Sequence, residues 1–284
     1  MPSRPPPWSN RAAAAKLVVV CAAVISAMAW VAAAPAQASH LAALKRLVGG
    51  AEAAHPNALW HLFHGLCLRD MNTSGNPAPC AEVNLAGGYA VIKDVERKTQ
   101  FLLIPTQRIS GIESPVLLAP GSPNYWQAAW TARRWLEKQV GHPLPREDVG
   151  LAVNSVFGRT QNQLHIHIDC VQPDVREALR LQGTKIGPHW SKLKVPLQGG
   201  HYHVRWIADA DLATSDPFKL LYHGDAAARA DMGRETLALI GASRPNGSPG
   251  FILLSDRAGS DSAAAGEQLL DHHCAVLSQA EAPK

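Results

Sequence analysis

The sequence predicts an α+β fold, and three observations lead there. Several short segments alternate apolar and polar residues with the period of two that belongs to strands. Others begin with a capping residue and a proline and carry apolar residues at helical spacing. The two kinds are mixed along the chain without the regular β-α alternation of a parallel sheet. At 284 residues, with 46% hydrophobic and 18% charged residues, the chain is globular and long enough for one good core.

The elements follow in order. LAALKRLVGG and NALWHLFHGLCLRD read as short helices, punctuated by Gly49-Gly50 and Pro56. A turn cluster spans residues 72–79, and GGYAVIKD (87–94) and FLLIPT (101–106) then make a hairpin. Ser122-Pro123 signals the start of a helix over NYWQAAWTARRWLEKQV, which Gly141-His142-Pro143 ends. Trp126 and Trp130, four residues apart, read as one core-facing stripe. DVGLAVNSVF (148–157) and QLHIHIDC (163–170) are two further strands joined by GRTQN. HYHVRWI (201–207) reads as a strand, residues 217–240 as a helix, GFILLSD (250–256) as a strand, and GEQLLDHHCAVLSQ as a closing helix. One reading of this second series is a degenerate second copy of the first half.

The amino terminus is a targeting segment. A basic, proline-rich start leads into residues 17–34, which carry no charge, and Ala36-Gln37-Ala38 has the small-x-small form of a signal-peptidase site. Eighteen apolar residues also suffice to cross a bilayer. Residues 1–38 are therefore either a cleaved signal, leaving a soluble exported protein, or a single membrane anchor. In both cases the residues after about 40 lie outside the cytoplasm. Arg4, Arg11 and Lys16 account for most of the net charge of +4, and without them 24 basic face 23 acidic residues. That balance gives no bulk electrostatic case for nucleic-acid binding. Cys21 lies in the apolar segment, which leaves Cys67, Cys80, Cys170 and Cys274. Cys67 and Cys80 flank a turn-rich stretch and are expected to pair, which would leave Cys170 for Cys274; buried free thiols are the alternative.

The chemistry concentrates at QLHIHIDC. In a strand, Leu164, Ile166, Ile168 and Cys170 fall on one face and His165, His167 and Asp169 on the other. Stability does not require three titratable groups in a row. Neutral imidazole is a good nucleophile for phosphoryl transfer, and a His-x-His pair also suits a metal or an inert solvated face. Those three readings stay open on the strand alone. His201 and His203 repeat the spacing beside Lys192, Lys194 and Arg205, as a solvated strand edge or a second phosphate patch. His272-His273, and His61 and His64, read as surface or packing positions.

The longer stretch VNSVFGRTQNQLHIHID resembles the signature of the histidine-triad superfamily of nucleotidyl hydrolases and transferases. Asn154 precedes His167 by thirteen residues, GRTQN stands where a phosphate-binding loop would lie, and FLLIPTQRISGIESP resembles an upstream strand ending in Ile-Pro. Asp169 replaces the third histidine. Together with NPAPC, RTQNQLHIHIDC and the apolar amino terminus, the chain is similar to the CDP-diacylglycerol pyrophosphatase family of bacterial envelopes over roughly residues 45–280. The resemblance implies a HIT-like antiparallel sheet with packed helices in residues 45–175, with 176–284 as an α+β part of the same globule. It implies hydrolysis of CDP-diacylglycerol to CMP and phosphatidate at a membrane, with no cofactor and no metal. His167 would attack the phosphorus next to cytidine, and His165 would steady the imidazole. Asn154, Gln161, Asn162 and Asp169 would contact phosphate, and Asp94 the ribose. The competing expectations are an exported metal-dependent hydrolase or metal-binding protein built on His165, His167 and Asp169, and a non-catalytic envelope module that binds a nucleotide or lipid.

Overall fold

The computed structural model describes residues 55–277. Its centre is a ten-stranded sheet whose pairings are all antiparallel, with spatial order β1-β2-β3-β5-β4-β8-β9-β7-β6 and β10 added beside β5. The strands are β1 (Glu82–Asn84), β2 (Tyr89–Lys93), β3 (Phe101–Pro105), β4 (Val149–Val153), β5 (Ile166–Val171), β6 (Ser191–Lys192), β7 (His203–Ala208), β8 (Glu235–Ser243), β9 (Pro249–Arg257) and β10 (Leu270–Asp271). The outer five strands on one side and the four on the other meet through β4 and β8. Strands β6 to β9 repeat the order of β2 to β5, and in each set helices separate the first pair of strands from the second.

Side-chain alternation divides the sheet into two faces. Val91, Leu103, Ile166, Ile168, Leu151, Leu239 and Leu253 project into the larger core, under α3 (Tyr125–Ala132), α4 (Arg134–Val140) and α6 (Pro217–Gly224). Trp126 and Trp130 lie in that core, Trp126 against Phe218 and Trp130 edge-on to Phe251. Ala152, Ala238, Ile240, Ile252 and Leu254 face the other way, toward α5 (Pro173–Gln182). The amino-terminal helical run comprises α1 (Ala58–Leu62), a π-helical turn over Phe63–Leu68 and α2 (Arg69–Ser74), closed by Gly75 at φ 69°. A further short helix, α7 (Ala226–Ala230), follows α6 directly.

Four expectations are corrected. Helix α3 is capped by Asn124, whose side chain accepts from the Gln127 N–H at 3.1 Å, while the Ser122 hydroxyl turns back to Leu117 and Ala119 carbonyls. Residues 235–240, expected as the end of a helix over 217–240, lie in the central strand β8; Leu237 to Ile240 are buried on both faces, so no alternation marks the strand. The closing helix expected over 266–279 does not begin there: Gly266–Leu269 is a 3-10 turn that runs into β10, and helical residues start only at 276. Helix α5, with its amphipathic sequence after Pro173, was not expected.

Both expected disulfides form, Cys67–Cys80 and Cys170–Cys274, with Cα separations of 5.6 and 5.2 Å. No described helix is long and apolar enough to cross a membrane, and the apolar segment 17–34 lies outside the described residues.

Candidate active site

Strand β5 positions the site. It is held between β3 and β4, with His167 in register with Leu102 on one side and Ala152 on the other. His165, His167 and Asp169 share one face by alternation, and all three are buried. The His165 and His167 rings meet edge to face at 4.8 Å. His165 Nδ1 lies 2.7 Å from the Gln163 carbonyl, so it donates that proton and keeps its lone pair on Nε2.

Gln100, two residues before Leu102, falls on the same face as His167. Its amide nitrogen lies 2.9 Å from His167 Nδ1 and 3.2 Å from Asp94 Oδ2. The other ring nitrogen, His167 Nε2, is buried without a hydrogen-bond partner. Burial pushes the His167 pKa down to about 3, with the Glu267 carboxylate opposing and His165 and His272 adding to the fall. Burial likewise lowers His165. The imidazole of His167 is therefore neutral at physiological pH, the form that carries a nucleophilic lone pair.

The carboxyl-terminal segment completes the site. Its register is Leu270 to Val171 and Asp271 to Cys170, so the next residue, His272, comes opposite Asp169. His272 Nδ1 lies 2.8 Å from Asp169 Oδ2, while Asp169 Oδ1 accepts from Thr99 Oγ1 at 2.7 Å and from the Cys170 N–H at 2.9 Å. Burial raises the Asp169 pKa and these donors oppose it. Two glycines admit the segment. A Cβ on Gly150 would lie 2.5 Å from Leu270 Cδ2, and one on Gly266 would lie 2.6 Å from Thr236 Oγ1.

Glu267 reaches between the histidines. Its Oε2 lies 3.6 Å from His167 Nε2 and accepts from Asn154 Nδ2 at 3.2 Å; its Oε1 lies 3.5 Å from His272 Nε2 and 3.9 Å from Arg97. Asn154 closes the loop by accepting from the Glu267 N–H at 3.1 Å. Burial works against the charge of Glu267, yet His167, Asn154 and His272 outweigh it and hold the pKa below the usual carboxylate value. Two imidazoles, an amide and a guanidinium thus surround one anion. A solvent-open cavity of about 570 Å³, lined by Arg97, Gln172, Gln198, Glu267 and His272 among others, leads to this position.

The comparisons with known proteins converge on this part of the chain. Residues 54–278 match the family model for CDP-diacylglycerol pyrophosphatase. The chain belongs to that family. It is 43% identical over 223 residues to a protein of Yersinia pestis named CDP-diacylglycerol pyrophosphatase, covering 78% of this chain and 85% of that one.

Every residue of the histidine cluster lies within the family span. Of the residues expected at the site, His165, His167, Asp169, Asn154 and, through Gln100, Asp94 come together. Gln161 and Asn162 are placed apart: Gln161 accepts from the Leu59 N–H at 2.9 Å, and Asn162 accepts from Arg159 at 3.3 Å. That loop contacts the amino-terminal helical run. Among the described residues, the His/Cys/Asp/Glu ligand atoms close enough to share one ion belong to Asp169, Cys170 and Cys274. Both cysteines are disulfide-bonded, so that set does not fit a metal, and His165, His167 and Asp169 do not converge on one point. His272, expected as a surface or packing position, is a largely buried partner of Asp169, whereas the His273 side chain is 80% exposed. Glu267, Gln100 and Thr99 carried no sequence signal as site residues. His203 faces Asp225 at 3.5 Å, at a half-exposed strand.

Proposed function

We propose that this chain hydrolyses CDP-diacylglycerol to CMP and phosphatidate through a covalent CMP-histidine at His167, the chemistry of a HIT-like nucleotidyl hydrolase. The carrying observation is the neutral, buried imidazole of His167, whose Nε2 has no hydrogen-bond partner and faces the anion position held by Glu267. A phosphoryl group entering where the Glu267 carboxylate lies would meet His167 Nε2, which Glu267 Oε2 approaches at 3.6 Å, and would have to close to about 3–3.5 Å for near-attack geometry. The Nε2 lone pair attacks the cytidine phosphorus, and the bond to the phosphatidate oxygen breaks with its electron pair. Water then attacks the same phosphorus, and the P–N pair returns to His167.

Several residues support the sequence of events. Attack from Nε2 requires the proton on Nδ1, and a half-turn of the Gln100 amide would bring Oε1, which is buried and unpartnered, to accept it. Asn154 Nδ2 and Arg97 would stabilise charge on the non-bridging oxygens. Glu267 must leave the anion position when substrate enters. The substrate is a lipid, and the apolar residues 17–34, as an anchor or a cleaved signal, would deliver the site to the periplasmic side of the inner membrane.

The experiment is hydrolysis of CDP-diacylglycerol in ¹⁸O-water. Label in CMP and none in phosphatidate supports attack at the cytidine phosphorus. Label in phosphatidate places the attack on the other phosphorus and removes the proposal.

A further inference from the structure

We infer that His272, held by Asp169, is the acid–base catalyst of both half-reactions, supplying from the carboxyl-terminal segment the third histidine that β5 lacks. The inference rests on the covalent reading above. Asp169 is fully buried, and its carboxylate is satisfied by Thr99, the Cys170 N–H and His272. A buried carboxylate that accepts Nδ1–H fixes the ring and stabilises the imidazolium, leaving Nε2 for the substrate. That Nε2 does not point at random. It and His167 Nε2 approach the two different oxygens of one carboxylate, at 3.5 and 3.6 Å.

Displacement at phosphorus is in line, with nucleophile and leaving group on opposite sides. A phosphoryl group seated where Glu267 now lies would have His167 at one end and His272 at the other. Imidazolium His272 then gives its Nε2 proton to the departing phosphatidate oxygen as the P–O bond breaks. Now neutral, it takes a proton from the water that attacks the phosphorus, while the P–N electron pair returns to His167. CMP leaves and His272 is again protonated. The ring's 17% side-chain exposure, at the edge of the cavity, gives that water access.

The Cys170–Cys274 disulfide explains how so remote a residue is held. It joins the residue after Asp169 to the second residue after His272, across 104 positions of sequence.

The test is rapid-quench kinetics with His272→Gln and Asp169→Asn. Phosphatidate is already a good leaving group, so loss of the base should slow the water step more than the first. We expect a burst of phosphatidate near one per enzyme, CMP trapped on His167, and turnover lower by roughly 10²–10⁴-fold in His272→Gln. Asp169→Asn should fall between that variant and wild type. Hydroxylamine, a nucleophile that needs no general base, should restore phosphatidate turnover in His272→Gln. The burst itself shows that the variant is folded. A His272→Gln protein that turns over like wild type, with no burst and no trapped CMP, overturns the inference while His167 still labels in wild type. No label on His167 in any of these proteins, with ¹⁸O still in CMP, removes the covalent reading itself.

Discussion

The side-chain amide of Gln100 lies 2.9 Å from Nδ1 of His167, and both groups are buried. The orientation of this amide decides which nitrogen of His167 carries the proton: its N–H leaves the proton on Nε2, and its carbonyl oxygen, turned in, places it on Nδ1. Gln100→Leu would leave Nδ1 without a partner in a buried place, at a cost of about 1–3 kcal/mol, which corresponds to roughly a 5–150-fold loss of kcat. Steady-state kinetics should show this loss in kcat with KM little changed. An unaltered kcat would take Gln100 out of the account.

Acid should destabilise the fold through His167. Its folded pKa of about 3 lies below the ordinary value of 6.5, so between those pH values the unfolded chain binds a proton that the folded chain does not. Stability from this group is complete above pH 6.5 and falls as pH drops toward 3. Asp216 acts with the opposite sign: burial raises it to about 6, so the folded chain binds the extra proton below that pH. The contribution of His167 is isolated by comparing wild type with His167→Gln in thermal melts from pH 8 to 4. The variant should gain on wild type as pH falls below 6.5. A constant difference would contradict the buried neutral imidazole.

The two disulfides should differ in what their removal does. On loop length alone, Cys170–Cys274 with a separation of 104 constrains the unfolded chain by about 4.7 kcal/mol, and Cys67–Cys80 with 13 by about 3 kcal/mol. Cys274→Ser should also release Glu267 and His272 from β5 and so depress activity well below the loss in Cys80→Ser at a temperature where both remain folded. Equal activities would separate the carboxyl-terminal segment from catalysis.

Glu267 occupies the anion position in the free protein. Glu267→Gln removes the competing charge, so KM for CDP-diacylglycerol should fall more than kcat changes. A collapse of kcat with KM unchanged would instead assign Glu267 a direct chemical role.

The legible part of this protein was local. The alternation through LHIHIDC stood out because β5 separates a purely apolar face from a titratable one, and the spacing to Asn154 lies within one hairpin. Most of β8 reads as helix from sequence because ETLALI is rich in Ala and Leu, which favour helix when burial is unknown, and both faces of the strand are buried. The carboxyl-terminal segment has helical spacing in its leucines, yet pairing with β5 and the disulfide override it. His272 escaped for a related reason: its partner Asp169 is 103 residues away, and no periodicity reports a contact of that separation.

The central claim is that His167 forms the bond to phosphorus. CDP-diacylglycerol labelled in the cytidine is mixed with the enzyme, quenched in alkali where phosphohistidine survives, and the peptide spanning residues 163–170 is sequenced by mass spectrometry. The account predicts CMP on His167, loss of the adduct and of nearly all turnover in His167→Ala, and a smaller loss in His165→Gln. CMP on His165, or a His167→Ala protein that keeps a good part of its turnover, would contradict it.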